Sequence, residues 1–120
     1  MIEPIKSRLR SFAFAGSGII HTLKTQPNAR IHALATIGVV FTGFWLKMSP
    51  SEWGLLLLAI GIVWIAELIN TALEHLVDLA SPEYHLLAKH AKDCAAGAVL
   101  FAALISLLIG AVVILPKILG

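Results

Sequence analysis

"AELINTALEHLVD", residues 66–78, decides how this chain is read. It ends the run "WGLLLLAIGIVWIA", residues 53–66, whose composition suits a bilayer span, and it ends it with Glu67, Asn70, Glu74 and Asp78. At the α-helical repeat these four positions share one stripe, while Leu68, Ile69, Leu73, Leu76 and Val77 keep the other faces apolar. An ionisable residue near membrane depth costs roughly 2.5–3.5 kcal/mol on insertion scales, so it turns toward protein or water and marks a functional position by default. One such residue is explained equally well as hydrogen-bonding glue between helices, with the outer acids solvating a helix end. Four acidic or amide groups on a single stripe shift the weight toward a site.

The composition fits a membrane domain. Of 120 residues, 58% are hydrophobic and 13% charged, and the mean hydropathy is +0.89, outside the range of ordinary soluble domains. A net charge of +2 is too small for a nucleic-acid binder. Cys94 is the single cysteine, so neither an intrachain disulfide nor a Cys/His metal cluster is available. Residues 1–28 are polar and amphipathic rather than built like a secretory signal, and no cleaved leader is expected.

A bilayer core takes about 20 mostly apolar residues in a helix. "AAGAVLFAALISLLIGAVVIL", residues 95–115, meets this with Ser106 as its one clearly polar member. "IHALATIGVVFTGFWL", residues 31–46, is shorter and extends through Arg30 and Lys47 by snorkelling. "KMSPSEW", residues 47–53, is a tight hairpin turn flanked by the interfacial aromatics Trp45 and Trp53. Ahead of the first span, Ile2, Ile5, Leu9, Phe12, Ile19 and Leu23 recur at helical spacing opposite Lys6, Arg10, Ser17 and Lys24, the pattern of an amphipathic helix lying on a surface. The expected architecture is therefore an all-α membrane protein in one domain, residues 1–120. A surface helix occupies 1–28, and transmembrane helices occupy 29–47, 52–74 and 94–116. Between the last two spans, Ser81 is expected to cap a new helix with Pro82 in its first position. Lys6, Arg8, Arg10, Lys24, Arg30, Lys89 and Lys92 fall on one side, against Lys47 and Lys117 on the other, so the positive-inside rule puts the N-terminus in the cytoplasm.

The stripe has the chemistry of a site. Its carboxylates are hard oxygen ligands of the kind Mg²⁺ takes, one or two at a time, alongside substrate phosphates. A carboxylate at the apolar boundary is also a candidate general base toward a hydroxyl. "SPEYHLLAKHAKD", residues 81–93, adds Glu83, Tyr84, His85, Lys89, Lys92 and Asp93: a stacking surface, cations for phosphates and a further acid. Each has a structural reading too. Glu83 suits a first helical turn, Lys89 and Lys92 suit membrane anchors, and His85 and His90 suit ordinary interfacial histidines. His21, His32 and His75 show no ligand spacing with one another. No Walker-type loop or protein-kinase signature is present, which leaves phosphoryl transfer open by other means.

Residues 66–100, "AELINTALEHLVDLASPEYHLLAKHAKDCAAGAVL", resemble the signature of the small bacterial membrane lipid kinases, the diacylglycerol kinase and undecaprenol kinase family. The pattern E-x-x-N-[ST]-A-[IL]-E-x-x-V-D, then S-x-E-Y-H, then A-K-D is matched at every fixed position. A weaker resemblance over residues 11–32 and the three-span layout extends it to nearly the whole chain. It implies a homotrimer with active sites shared between subunits in the bacterial cytoplasmic membrane, and transfer of the ATP γ-phosphate to a lipid hydroxyl. By the same resemblance Glu67 is the general base, Asn70 orients base or substrate, and Glu74 holds Mg²⁺. Glu83, Tyr84 and His85 contact nucleotide, as do Lys92 and Asp93, and Asp78 belongs to the motif without an assigned role. Where many relatives carry a second metal-binding glutamate this chain has Gln26, and Gly16 and Ser17 replace a bulky and a basic residue. "SPSEW" and the 81–100 segment look more like the undecaprenol kinase branch.

Two other classes compete. A non-catalytic trimeric assembly protein would keep the fold and use the stripe as glue, with Gln26 as the first sign of decay. An ion or proton carrier would continue its polar residues through the membrane; the last span offers only Ser106.

Overall fold

The computed structural model describes residues 2–120 and consists of four helices: α1 (Ile2–Thr25), α2 (Pro27–Trp45), α3 (Pro50–Ala80) and α4 (Leu86–Leu119). The break between α1 and α2 comes at Gln26, earlier than the boundary expected from hydropathy. A residue preceding proline is pushed out of the helical region, and Gln26 is extended, with φ −110° and ψ 111°, directly before Pro27 at the first position of α2. Arg30 ties the two helices together, donating from Nε to the Leu23 carbonyl at 2.9 Å and from its guanidinium to the Lys24 carbonyl.

The turn at 47–53 forms. α2 closes in a Schellman motif: the Met48 N–H reaches the Gly43 carbonyl at 3.1 Å, the Lys47 N–H reaches that of Phe44, and Lys47 is left-handed with φ 55°. Ser49 then starts α3 with a capping box, its hydroxyl accepting from the Glu52 N–H while the Glu52 carboxylate accepts from its own N–H. Across this turn the Trp53 ring lies against Gly43, where an added Cβ would come within 2.5 Å of it. Gly43→Ala is therefore expected to destabilise the α2–α3 hairpin by about 1–3 kcal/mol through overpacking. Thermal unfolding in detergent with Trp fluorescence measures it, and an unchanged Tm would show that this contact yields freely.

α3 runs six residues past the expected end at 74, so one unbroken helix of 31 residues carries the whole stripe. The start of α4 is a correction. Ser81 does not N-cap α4 but is the C-cap of α3: its N–H closes the last turn on the Val77 carbonyl, and its hydroxyl donates to the Glu83 carbonyl at 2.9 Å. Pro82 and Glu83 consequently lie outside any helix, and His85 is the N-cap, with Nδ1 accepting from the Leu87 N–H at 3.1 Å.

α3 and α4 pack antiparallel. Glu52 pairs with Lys117 at one end, the Ser106 hydroxyl donates to the Ala59 carbonyl at 2.7 Å in the middle, and Asp78 meets Lys92 at the other end. The small residues Ala59, Ala95, Val99 and Ala102 are buried along the two helices, the usual means of close helix approach in lipid. α2 also runs antiparallel to α3, meeting it through Gly43 with Trp53, Thr36 with Trp64 and His32 with Glu67. Among the described residues, α3 and α4 are the two helices long and apolar enough to cross a membrane by length and composition. α2 is shorter, 19 residues or about 28 Å. Large apolar residues on every helix stay exposed, among them Phe12 and Phe14 of α1, Phe41 of α2, Ile65 of α3 and Phe101 of α4.

Candidate active site

The stripe on α3 meets α1 and α2 at its inner half. Glu67 is 1% exposed and Asn70 and Thr71 are buried beside it, while Glu74 is half-buried and Asp78 exposed. The Gln26 side-chain amide, in the break between α1 and α2, donates to Glu74 Oε2 at 3.3 Å, and that of Asn70 donates to Glu74 Oε1 at 3.5 Å, the long limit for such a bond. Residues 48 positions apart are thus neighbours, and the two positions assigned to metal by resemblance share one corner of the fold. On the adjoining turn His75 Nε2 lies 2.8 Å from His21 Nε2, which fastens α1 to α3.

Glu67 is the unusual member. Its backbone carbonyl accepts from the Thr71 hydroxyl at 2.9 Å. Its carboxylate has one close charged or titratable neighbour, His32 of α2, with Nε2 3.1 Å from Oε1. That approach is out of line for a hydrogen bond, and Glu67 Oε1 and Asn70 Oδ1 are both buried acceptors without a donor. Two unfilled acceptors at the edge of an apolar span are what a hydroxyl-bearing ligand would satisfy.

Further along, Lys92 and Lys89 each pair with a carboxylate. Lys92 meets Asp78 at 2.5 Å, and Lys89 meets Asp93 at 2.6 Å. These residues precede the apolar run at 95–115, outside the span. The hydrogen bond to Asp78 raises Lys92 above the ordinary lysine range against a smaller desolvation effect, and the hydrogen bond from Lys89 holds Asp93 below the ordinary carboxylate range. Lys92 is thus a cation and Asp93 an anion at neutral pH. Glu83 and Tyr84 lie exposed in the α3–α4 connection, and the His85 Nδ1 is occupied by its capping bond. The structure brings Gln26, Glu67, Asn70 and Glu74 together; Glu83, Tyr84 and His85 stand apart in the connection, and Lys92 joins the outer end of the stripe through Asp78.

The Glu74 carboxylate, with the Gln26 and Asn70 amides turned from the N–H contacts they now make to it so that their oxygens face the corner, would suit Mg²⁺, which binds through few protein oxygens and otherwise through waters and phosphates. Among the described residues no group of three or more His, Cys, Asp or Glu side chains forms a metal cage. The ion would depend on a phosphate-bearing ligand for most of its shell.

His32 was not singled out by spacing. The available signal was that it is the one titratable residue between Arg30 and Lys47, in an otherwise apolar helix.

Between α2 and the α3–α4 pair runs an apolar cleft of about 520 Å³, with His32, Thr36, Trp64 and Ser106 among its few polar lining residues. Its walls are otherwise aliphatic, from Ile31 and Val63 to Ile114 and Leu115.

Comparison with known proteins identifies the family. The family model for prokaryotic diacylglycerol kinase matches residues 13–114. An undecaprenol kinase of Bacillus subtilis is 47% identical over 108 residues, covering 90% of this chain and 88% of the relative. A diacylglycerol kinase of Synechocystis is 43% identical over 113 residues, 93% of this chain and 65% of the relative. A diacylglycerol kinase of Escherichia coli K12 is 31% identical over 100 residues, 83% of this chain and 82% of the relative. The chain belongs to the prokaryotic diacylglycerol kinase family, a family of lipid kinases.

Proposed function

We propose that the protein transfers the γ-phosphate of ATP to the hydroxyl of a membrane lipid alcohol, in the presence of Mg²⁺, at the cytoplasmic face of a bacterial membrane. The observation that carries this is Glu67: a carboxylate 1% exposed, with an unfilled oxygen, where the apolar run of α3 gives way to the polar stripe. Glu67 accepts the hydroxyl proton as the phosphorus–oxygen bond forms, and ADP leaves with the bridging oxygen of the broken bond. Phosphoryl transfer asks the protein mainly for positioning and charge stabilisation. Asn70 orients the groups around Glu67, Gln26 and Glu74 would hold Mg²⁺, and Glu83, Tyr84, His85, Lys92 and Asp93 bind nucleotide. The ion, when bound, neutralises developing charge on the phosphates.

The cleft beside α2 suits the lipid's hydrocarbon, with its polar end at His32, next to the base. Undecaprenol is the favoured acceptor and diacylglycerol the second, given the 47% identity to the Bacillus enzyme and the 81–100 segment. The exposed apolar faces of α2, α3 and α4 support a third span at α2 and a homotrimer with shared sites. The basic residues about α1 and the start of α4 support a cytoplasmic N-terminus. The test is phosphate transfer from labelled ATP into lipid extract by the purified protein, with and without Mg²⁺. A Mg²⁺-dependent labelled lipid alcohol is expected; no labelled lipid from folded, oligomeric protein would replace this proposal with the assembly-protein reading.

Gln26→Glu adds a second carboxylate where the Gln26 amide now meets Glu74. It is expected to lower the Mg²⁺ concentration for half-maximal activity by about 10-fold, the order of effect expected for one added charged ligand. A Mg²⁺ titration of turnover measures this, and an unmoved midpoint would remove Gln26 from the metal corner.

A further inference from the structure

We infer that His32 is the positioning residue of the base: its imidazole holds the Glu67 carboxylate at the angle from which it meets the lipid hydroxyl. This rests on the reading of Glu67 as general base. The orientation of a carboxylate 1% exposed is set by the side chains packed against it, and no donor fills its Oε1. The surrounding charges are engaged elsewhere. Arg30 of α2 is held by the Leu23 and Lys24 carbonyls, and Gln26 is turned to Glu74. His21 of α1 faces His75, and Lys89 and Lys92 of α4 hold Asp93 and Asp78. His32 remains, with Nε2 3.1 Å from Oε1.

Its location adds a second observation. The His32 ring lines the apolar cleft and reaches Glu67 from there, so it stands between the space suited to the lipid chain and the base. Because its approach leaves Oε1 without an aligned hydrogen bond, the carboxylate keeps acceptor capacity for a hydroxyl while its swing is limited. A misplacement of 1 Å at a reacting group costs about 100-fold in rate, so restricting that swing acts on turnover rather than on substrate affinity.

Three substitutions separate this from simple packing. Glutamine at 32 keeps a polar nitrogen at nearly the reach of imidazole, asparagine keeps one without the reach, and leucine keeps bulk without a polar nitrogen. In the same detergent micelles, kcat is expected to fall about 100-fold in His32→Leu and His32→Asn and to return within about five-fold of wild type in His32→Gln, with KM for ATP and lipid moving less than about two-fold. Equal loss in His32→Gln and His32→Leu, or a loss carried by KM alone, would overturn the inference. Glu67→Gln, assayed alongside, keeps the two readings apart. If Glu67→Gln is inactive and His32→Leu is fully active, only the role of His32 is wrong; if Glu67→Gln is active, the base itself is wrong.

Discussion

Glu67→Gln is expected to reduce kcat by about 10²- to 10⁴-fold, the range supplied by general acid–base catalysis. The amide matches the carboxylate in size and keeps an oxygen near His32, but it cannot take a proton from the lipid hydroxyl. Fold and assembly are expected to survive. Glutamine matches the shape of glutamate, and the buried Oε1 of Glu67 accepts no hydrogen bond that the change would break. Turnover, size-exclusion profile and Tm of the same preparation give the answer together. Near-normal turnover would remove Glu67 from the chemistry, and loss of the assembled protein would make the residue structural glue.

Glu74→Gln should lower turnover by about 10²- to 10³-fold at a fixed low Mg²⁺ concentration, the scale seen when one electrostatic stabiliser is removed. In wild type this carboxylate is the one negative group beside the Gln26 amide, and it accepts from Gln26 and Asn70. After the change the corner holds amides alone, and Mg²⁺ is retained mainly by the phosphates. Raising Mg²⁺ should recover part of the activity. The double variant Gln26→Glu with Glu74→Gln returns one carboxylate to the opposite wall of the corner and should recover more than either high Mg²⁺ or the single variant allows. A Mg²⁺ midpoint unaffected by Glu74→Gln would place the ion elsewhere. Unlike loss of the base, this loss is sensitive to metal concentration, so the two predictions test separate parts of the site.

Much of the site is written in local order. Glu67, Asn70, Glu74 and Asp78 share a face because helical periodicity relates residues three and four apart, and α3 has no break between them. The turn at 47–53 was legible for the same reason: Ser49, Pro50 and Glu52 act within one turn of each other. The start of α4 was misread because Ser81–Pro82 has the composition of a helix start, whereas the last turn of α3 uses the Ser81 N–H and the Ser81 hydroxyl turns to Glu83. His85 then became the cap, a role its position in a family motif does not suggest.

By itself the sequence determined the helices, their apolar lengths, the acidic stripe and the family, all of which depend on neighbours in the chain or on a pattern of residue types. Tertiary structure alone decided which side chains face the stripe. Gln26 meets Glu74, His32 meets Glu67 and His21 meets His75 across gaps of tens of residues. Those pairings are set by how α1 and α2 pack against α3, through Gly43 under Trp53 and the bend at Gln26. Packing of one helix on another depends on the shapes of both surfaces, and no periodicity within either helix records it.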